Sequence, residues 1–204
     1  DSAHVFLVIM LQVFYALCIL TSVYLIKCDR EPFVVGGKRG KIKKFPHAVS
    51  LKVACYTELG MEVPWLCGAS ILNEKIILTA AHCVADCYKI TQMSTSAGHS
   101  NINSGLVSTV DAYVVHLKYH VFKVDYDIAL VKVKTPFKFS DRVKRVALMR
   151  NPPYNKEEFS LTSENLQYVN QYVWKTKKCR TAIAPMPKGT ICANSRNKNS
   201  FVSG

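Results

Sequence analysis

The 204-residue sequence has no Asn-x-Ser/Thr acceptor, no internal repeat and no low-complexity stretch. None of its eight cysteines belongs to a Cys-x-x-Cys pair or a Cys/His cluster. Without those pairs the usual intracellular zinc and dithiol motifs drop out. Eight cysteines instead suit an oxidising compartment, where disulfides persist. The missing acceptor leaves N-glycosylation silent on the point. Acids are also scarce: 14 Asp and Glu stand against 27 Lys and Arg, a formal charge of +13. Such an excess favours acidic partners such as anionic lipid, heparin-like polymer or nucleic acid. The cations are scattered, however, and only Lys38, Arg39, Lys41, Lys43 and Lys44 form a tight cluster. That block reads first as a solvated loop and second as a binding patch, and nucleic acid is not among the expected partners.

An apolar fraction of 49% is ordinary for a globular protein. The length allows one sizeable domain or two small ones sharing a core. Residues 5–26 form an apolar run broken only by Gln12, Thr21 and Ser22, long enough to span a bilayer and placed where a secretory signal would sit. Residues 1–27 are therefore expected to be a signal peptide or a membrane anchor, with an apolar helix in either case. Both readings put the remainder outside the cytosol, secreted in the first and anchored in the second. Residues 28–33 make a short link containing Pro32.

Beyond the link the pattern is that of short strands. Residues 47–53, 106–117 and 128–133 alternate apolar and polar positions, and turn-prone groups such as Asn151-Pro152-Pro153 separate the runs. Residues 157–173 are the one stretch with room for a longer helix. The whole reads as mainly β, at barrel or sandwich spacing. His116 and His120 are four apart, as in a helical metal pair, but Val114-Val115 and Val121-Phe122 favour a strand there, and no metal is expected.

Chemistry is concentrated in two segments. Leu78-Thr79-Ala80-Ala81-His82-Cys83 surrounds a histidine with small residues, and Cys83 with Cys67 upstream allows one disulfide to fix it, a rigidity that suits a general base. Asp125-Tyr126-Asp127-Ile128-Ala129-Leu130-Val131 sets a carboxylate ahead of an apolar strand that would bury it. A buried carboxylate accepting from an imidazole N–H fixes the tautomer and stabilises the imidazolium formed when a nucleophile gives up its proton.

These two segments resemble the histidine and aspartate motifs of the chymotrypsin/trypsin family of serine proteases, in that family's order and spacing. Val34-Val35-Gly36-Gly37 resembles its mature N-terminus, and His116 with Tyr119 fits the stretch before the aspartate. The resemblance runs over residues 34–204. It implies two six-stranded antiparallel β-barrels, the second incomplete, with catalytic His82 and Asp127 and no cofactor. It also implies disulfides Cys67–Cys83 and Cys179–Cys192. The pairing of Cys18, Cys28, Cys55 and Cys87 stays open, with Cys55–Cys87 the pair that elimination leaves. Implied partners are protein or peptide substrates and protein inhibitors, with a membrane only if residues 5–26 are a retained anchor.

The family's nucleophile segment, Gly-Asp-Ser-Gly-Gly, is absent. Residues 199–204 resemble the lead-in to it, which makes Gly204 the oxyanion-hole glycine and gives a chain that stops short of its serine. As written, it is expected not to hydrolyse peptide bonds. The alternative is a non-catalytic homologue that acts as a binding protein. Two further departures concern cleavage and specificity. Phe33 precedes Val34 where Arg or Lys is usual. Ser200 falls where a trypsin-like enzyme carries an acid at the base of its primary pocket, and a neutral base suits bulky apolar side chains because a buried unpaired cation is costly. The family's Gly-Trp-Gly strand is also missing between Leu148 and Leu166.

Overall fold

The computed structural model describes residues 34–35, 37–56, 60–148, 156–161, 165–182, 185–194 and 201–202. The expected apolar helix of residues 1–27, Ser200 and Gly204 lie outside them. In chain order the elements are strands β1 (Val34–Val35), β2 (Lys38–Arg39), β3 (Ala48–Tyr56), β4 (Glu62–Ile71) and β5 (Ile76–Thr79), then helix α1 (His82–Ala85). Strands β6 (Lys89–Ala97), β7 (Leu106–Val115), β8 (Ala129–Val133), β9 (Lys156–Leu161) and β10 (Gln167–Val173) follow, then helix α2 (Thr176–Ala182) and strands β11 (Ala193–Asn194) and β12 (Phe201–Val202).

Six of these strands close an antiparallel barrel in the order β3-β4-β5-β8-β7-β6. Alternation explains why β3 belongs there. Val49, Leu51, Val53 and Cys55 point inward at 0–4% exposure, while Lys52 between them is exposed. Val131 and Val133 of β8 do the same around exposed Lys132. With Ile71 and Ile77 they fill the barrel interior. Register shifts at Ala54/Cys55 and Val110/Ala112 mark bulges of the kind that bend strands into closure.

The outer face of β3 is not left wet. Ser50 and Ser96 are buried, and Ile42, Ala48 and Leu166 line the same narrow recess against them. Ile42, Phe45 and Leu166 form a second small apolar cluster, with Tyr168 packed on it.

Residues 157–173, the candidate helix, instead form β9 and β10, paired antiparallel with Val169 opposite Phe159. Tyr168, Val169, Tyr172 and Val173 are residues that favour a pleated surface, and β9, β11 and β2 all pair with β10 to satisfy its backbone. The result is a four-stranded sheet, without a second closed barrel among the described residues. β1 pairs with β12, setting Val34 opposite Val202. Disulfide Cys179–Cys192 links α2 to the segment before β11, and Trp174 N–H donates to Cys192 O at 2.9 Å. Among the described residues no helix is long and apolar enough to cross a membrane.

One glycine is fixed by close approach. A Cβ on Gly105 would collide with Ser96 Oγ and sit 2.7 Å from Ala97 O, where β6 turns into β7. Gly105→Ala is expected to lower stability by about 1–3 kcal/mol, the usual cost of overpacking, measured by urea unfolding. An unchanged midpoint would mean that the turn can open.

Candidate active site

The ladder between β5 and β8 pairs Thr79 with Ala129 in antiparallel register. The end of β5 therefore lies beside the start of β8, and the residues just beyond, His82 and Asp127, meet although 45 positions separate them. Three contacts hold the histidine end. Cys83 is bonded to Cys67 of β4 with their Cα atoms 6.2 Å apart. Thr79 Oγ1–H donates to Gly68 O at 2.9 Å, and Trp65 Nε1–H donates to Cys83 O at 3.2 Å.

Helix α1 lacks a capping side chain of its own, since Ala81 sits at its N-cap. The first turn of a helix leaves N–H groups unpaired. Asp127 supplies the missing acceptor from across the ladder, its Oδ1 taking the His82 backbone N–H at 2.9 Å. Its Oδ2 takes the imidazole Nδ1–H at 2.7 Å. One carboxylate thus fixes both the backbone and the ring of His82. Ionised Asp127 can only accept, so the Nδ1 proton is the one it selects, leaving Nε2 as the acceptor of the neutral ring. The carboxylate is 16% exposed and the imidazole 48%, so the ion is sheltered while the ring stays accessible. The geometry is consistent with the histidine–aspartate part of a catalytic triad.

The approach to Asp127 carries backbone strain. Val124 and Tyr126 have φ of 51° and 53°, unusual for residues with a side chain. Such conformations cost of order 1–3 kcal/mol each and persist only when the surroundings hold them. Here Tyr126 stacks on His116 with centroids 5.1 Å apart, and its N–H donates to Lys188 O at 2.8 Å. Lys188 N–H donates in turn to Asp125 Oδ1 at 2.6 Å. His116 lies just past the end of β7, and His120 pairs with Asp125 in an isolated antiparallel bridge and packs edge-on against Phe122. Tyr119 O–H donates to Asp86 Oδ1 at 2.8 Å, tying the turn after β7 to the residue that closes α1. Burial, followed by the hydrogen bond to Asp86 and the charges of Asp86 and Asp127, holds the Tyr119 phenol well above the ordinary tyrosine range.

Cys67, His82 and Cys83 are the one group among the described residues close enough to share a metal ion. Both sulfurs are spent in the disulfide, so the group has no thiolate to offer. A third disulfide joins Cys55 to Cys87. Beside it Tyr56, Val63, Trp65, Asp86 and Tyr88 line a recess of about 480 Å³. Sequence reasoning did not anticipate Asp86 as the partner of Tyr119, Asp125 as a clamp on Lys188, or the left-handed Tyr126. Asp125-Tyr126-Asp127 gives no local sign of any of these, because each partner is distant in sequence.

The trypsin family model matches residues 34–204. The chain is similar to the serine proteinase stubble of Drosophila melanogaster, 33% identical over 58% of this chain and 15% of that protein. It is also similar to hypodermin-B of Hypoderma lineatum, 27% identical over 78% of this chain and 59% of that protein. It thus spans less than two thirds of either relative. In three dimensions it matches the crystal structure of a scabies mite inactivated protease paralogue, with a TM-score of 0.65 at 24% identity, over 79% of this chain and 74% of that one. That likeness bears on the fold alone.

Tyr119 gives a pH signature. With its folded pKa above the unfolded value of about 10, the folded chain keeps a proton that the unfolded chain releases, so stability falls as pH rises past that value. Tyr119→Phe is expected to lose about 1 kcal/mol at pH 8 with the Asp86 hydrogen bond. It should then lose less than the wild type between pH 9 and 11 in urea titrations. Parallel pH profiles would show that the phenol is no more restrained than in the unfolded chain.

Proposed function

Because this chain belongs to the trypsin family, we propose that residues 34–204 are the greater part of a serine-type endopeptidase domain in which His82 is the general base and Asp127 its orienting carboxylate. The observation that carries this reading is the double acceptance by Asp127, from the ring and the backbone of the same histidine. The reading assigns the nucleophile to a serine following Gly204 in a longer protein, since the sequence contains no Gly-Asp-Ser-Gly-Gly. The serine oxygen attacks the scissile carbonyl as Nε2 of His82 takes its proton. His82 then returns the proton to the leaving amine, and Asp127 remains ionised throughout. Gly204 N–H would contribute to the oxyanion hole, and neutral Ser200 would favour bulky apolar side chains next to the cleaved bond.

The same reading makes Val34 the mature N-terminus and the β9–β10 sheet part of a second barrel, with residues 1–27 as signal or anchor. Three disulfides support a site of action outside the cytosol.

The test compares two proteins, the 204-residue chain and the same chain extended by its downstream coding sequence, on peptide amides cut after Phe, Leu or Arg. The extended protein should hydrolyse the apolar substrates. Asp127→Asn should lower its kcat about 10⁴-fold, and His82→Ala by at least as much. The 204-residue chain should show no turnover above its own His82→Ala variant. A residue other than serine at the nucleophile position, with no hydrolysis by the extended protein, would replace this reading with that of a non-catalytic binding homologue.

A further inference from the structure

The basic block near the start of the domain has a partner that sequence order conceals. Between Gly40 and Phe45 the chain makes two tight turns, with Lys44 N–H donating to Lys41 O at 2.8 Å and Phe45 N–H to Ile42 O at 3.0 Å. Ile42 and Phe45, three apart, are buried in the small cluster with Leu166. With those two side chains turned inward, Lys41 and Lys43 are exposed. Ser100 Oγ accepts the Ile42 N–H at 3.0 Å, pinning the turn to the barrel.

A second basic segment is built the same way. Val143 is 1% exposed, while Arg142, Lys144 and Arg145 around it are exposed. Lys144 N–H donates to Pro46 O at 2.9 Å, and Lys43 Nζ meets Asp141 Oδ2 at 2.6 Å, so the two segments lie side by side. Both members of that ion pair are more than 60% exposed, so it is weak and open to exchange with another anion. Lys43 holds the Asp141 carboxyl below the usual carboxylate range through their hydrogen bond, and Asp141 is the only acid in either segment. Two basic segments about a hundred residues apart in sequence thus run side by side.

We propose that this surface, formed by Lys41, Lys43, Arg142, Lys144 and Arg145, is a binding site for a sulfated polysaccharide. The assignment is independent of the catalytic reading. Backbone hydrogen bonds hold the two segments beside one another before a ligand arrives, which lowers the ordering cost of binding. Three features select the polyanion. Three disulfides suit an oxidising setting outside the cytosol, where linear polyanions are met as sulfated polysaccharides. Phe45 is buried and the Lys44 ammonium lies 4.2 Å over the Tyr168 ring, so the surface offers neither ring as a platform for stacking bases. Ile42, Phe45 and Val143 point inward between the cations, so the patch itself presents no apolar side chain for insertion into a bilayer, the exposed Phe139 and Leu148 lying beyond its ends.

The probe is a heparin dodecasaccharide titrated into the full chain by calorimetry in 0.15 M NaCl. The variant K41Q/K43Q/R142Q/K144Q should bind about 30-fold more weakly, with a shallower salt dependence. K89Q/K123Q/K134Q/K177Q removes the same charge elsewhere and should stay within about threefold of the wild type. K41Q/R142Q keeps the Lys43–Asp141 pair and should fall about fivefold, which guards against misfolding of the fourfold variant. Equal losses in the two fourfold variants, or no binding by the wild type, would overturn the site. If the patch variant loses as much affinity for a DNA duplex or for phosphatidylserine vesicles as for heparin, the assignment to sulfated polysaccharide fails.

Discussion

The antiparallel ladder between β5 and β8 carries His82 and Asp127 to the same rim of the barrel through the pairing of Thr79 with Ala129. Both hydrogen bonds between His82 and Asp127 presuppose that register. A slip of one residue would turn Val131 and Val133 from the core to solvent, so the buried apolar face that stabilises the barrel also guards the alignment of the dyad. Fold stability and site geometry here rest on the same residues. Asp127 adds to this by capping a helix from another segment, which gives the carboxylate of the dyad a structural task as well.

The frame around that ladder is stiff where the chain would otherwise be loose. Helix α1 has only four residues and would not persist alone. It is held at Cys83 by a disulfide to β4, at Cys83 O by Trp65, and at Asp86 by Tyr119. Closing a loop of the Cys67–Cys83 length removes about 3 kcal/mol of freedom from the unfolded chain. The Cys55–Cys87 bond adds a second clasp from the long β3–β4 hairpin to the segment after α1.

Features written in short stretches of sequence were the legible ones. Partial alternation exposed β3 and β8, and the spacing of His82 and Asp127 announced the pair that the barrel brings within hydrogen-bond distance. Residues 157–173 misled because Lys156, Glu157 and Glu158 carry no strand periodicity, and what makes β9 and β10 extended is the ladder each offers the other. The position of His116 outside the strand was equally hidden, since Val114 and Val115 carry the β7 pattern right up to it. The convergence of Arg142 and Lys144 with Lys41 and Lys43 could not be read locally either. It depends on Ile42 and Val143 being drawn into neighbouring parts of the interior. Partnerships of this kind are set by the closed barrel and acquire meaning only once it exists.

Tyr126 shows what such a frame imposes on a single position. Its backbone adopts a shape that asparagine or glycine would take more comfortably, while its ring is needed against His116. A redesign guided by stability alone would be drawn to exactly this kind of mismatch, and glycine would relax it. The relaxed chain would gain torsional freedom at the residue immediately before Asp127, so the most inviting place to strengthen the fold is also the place where the carboxylate would be most readily unmoored.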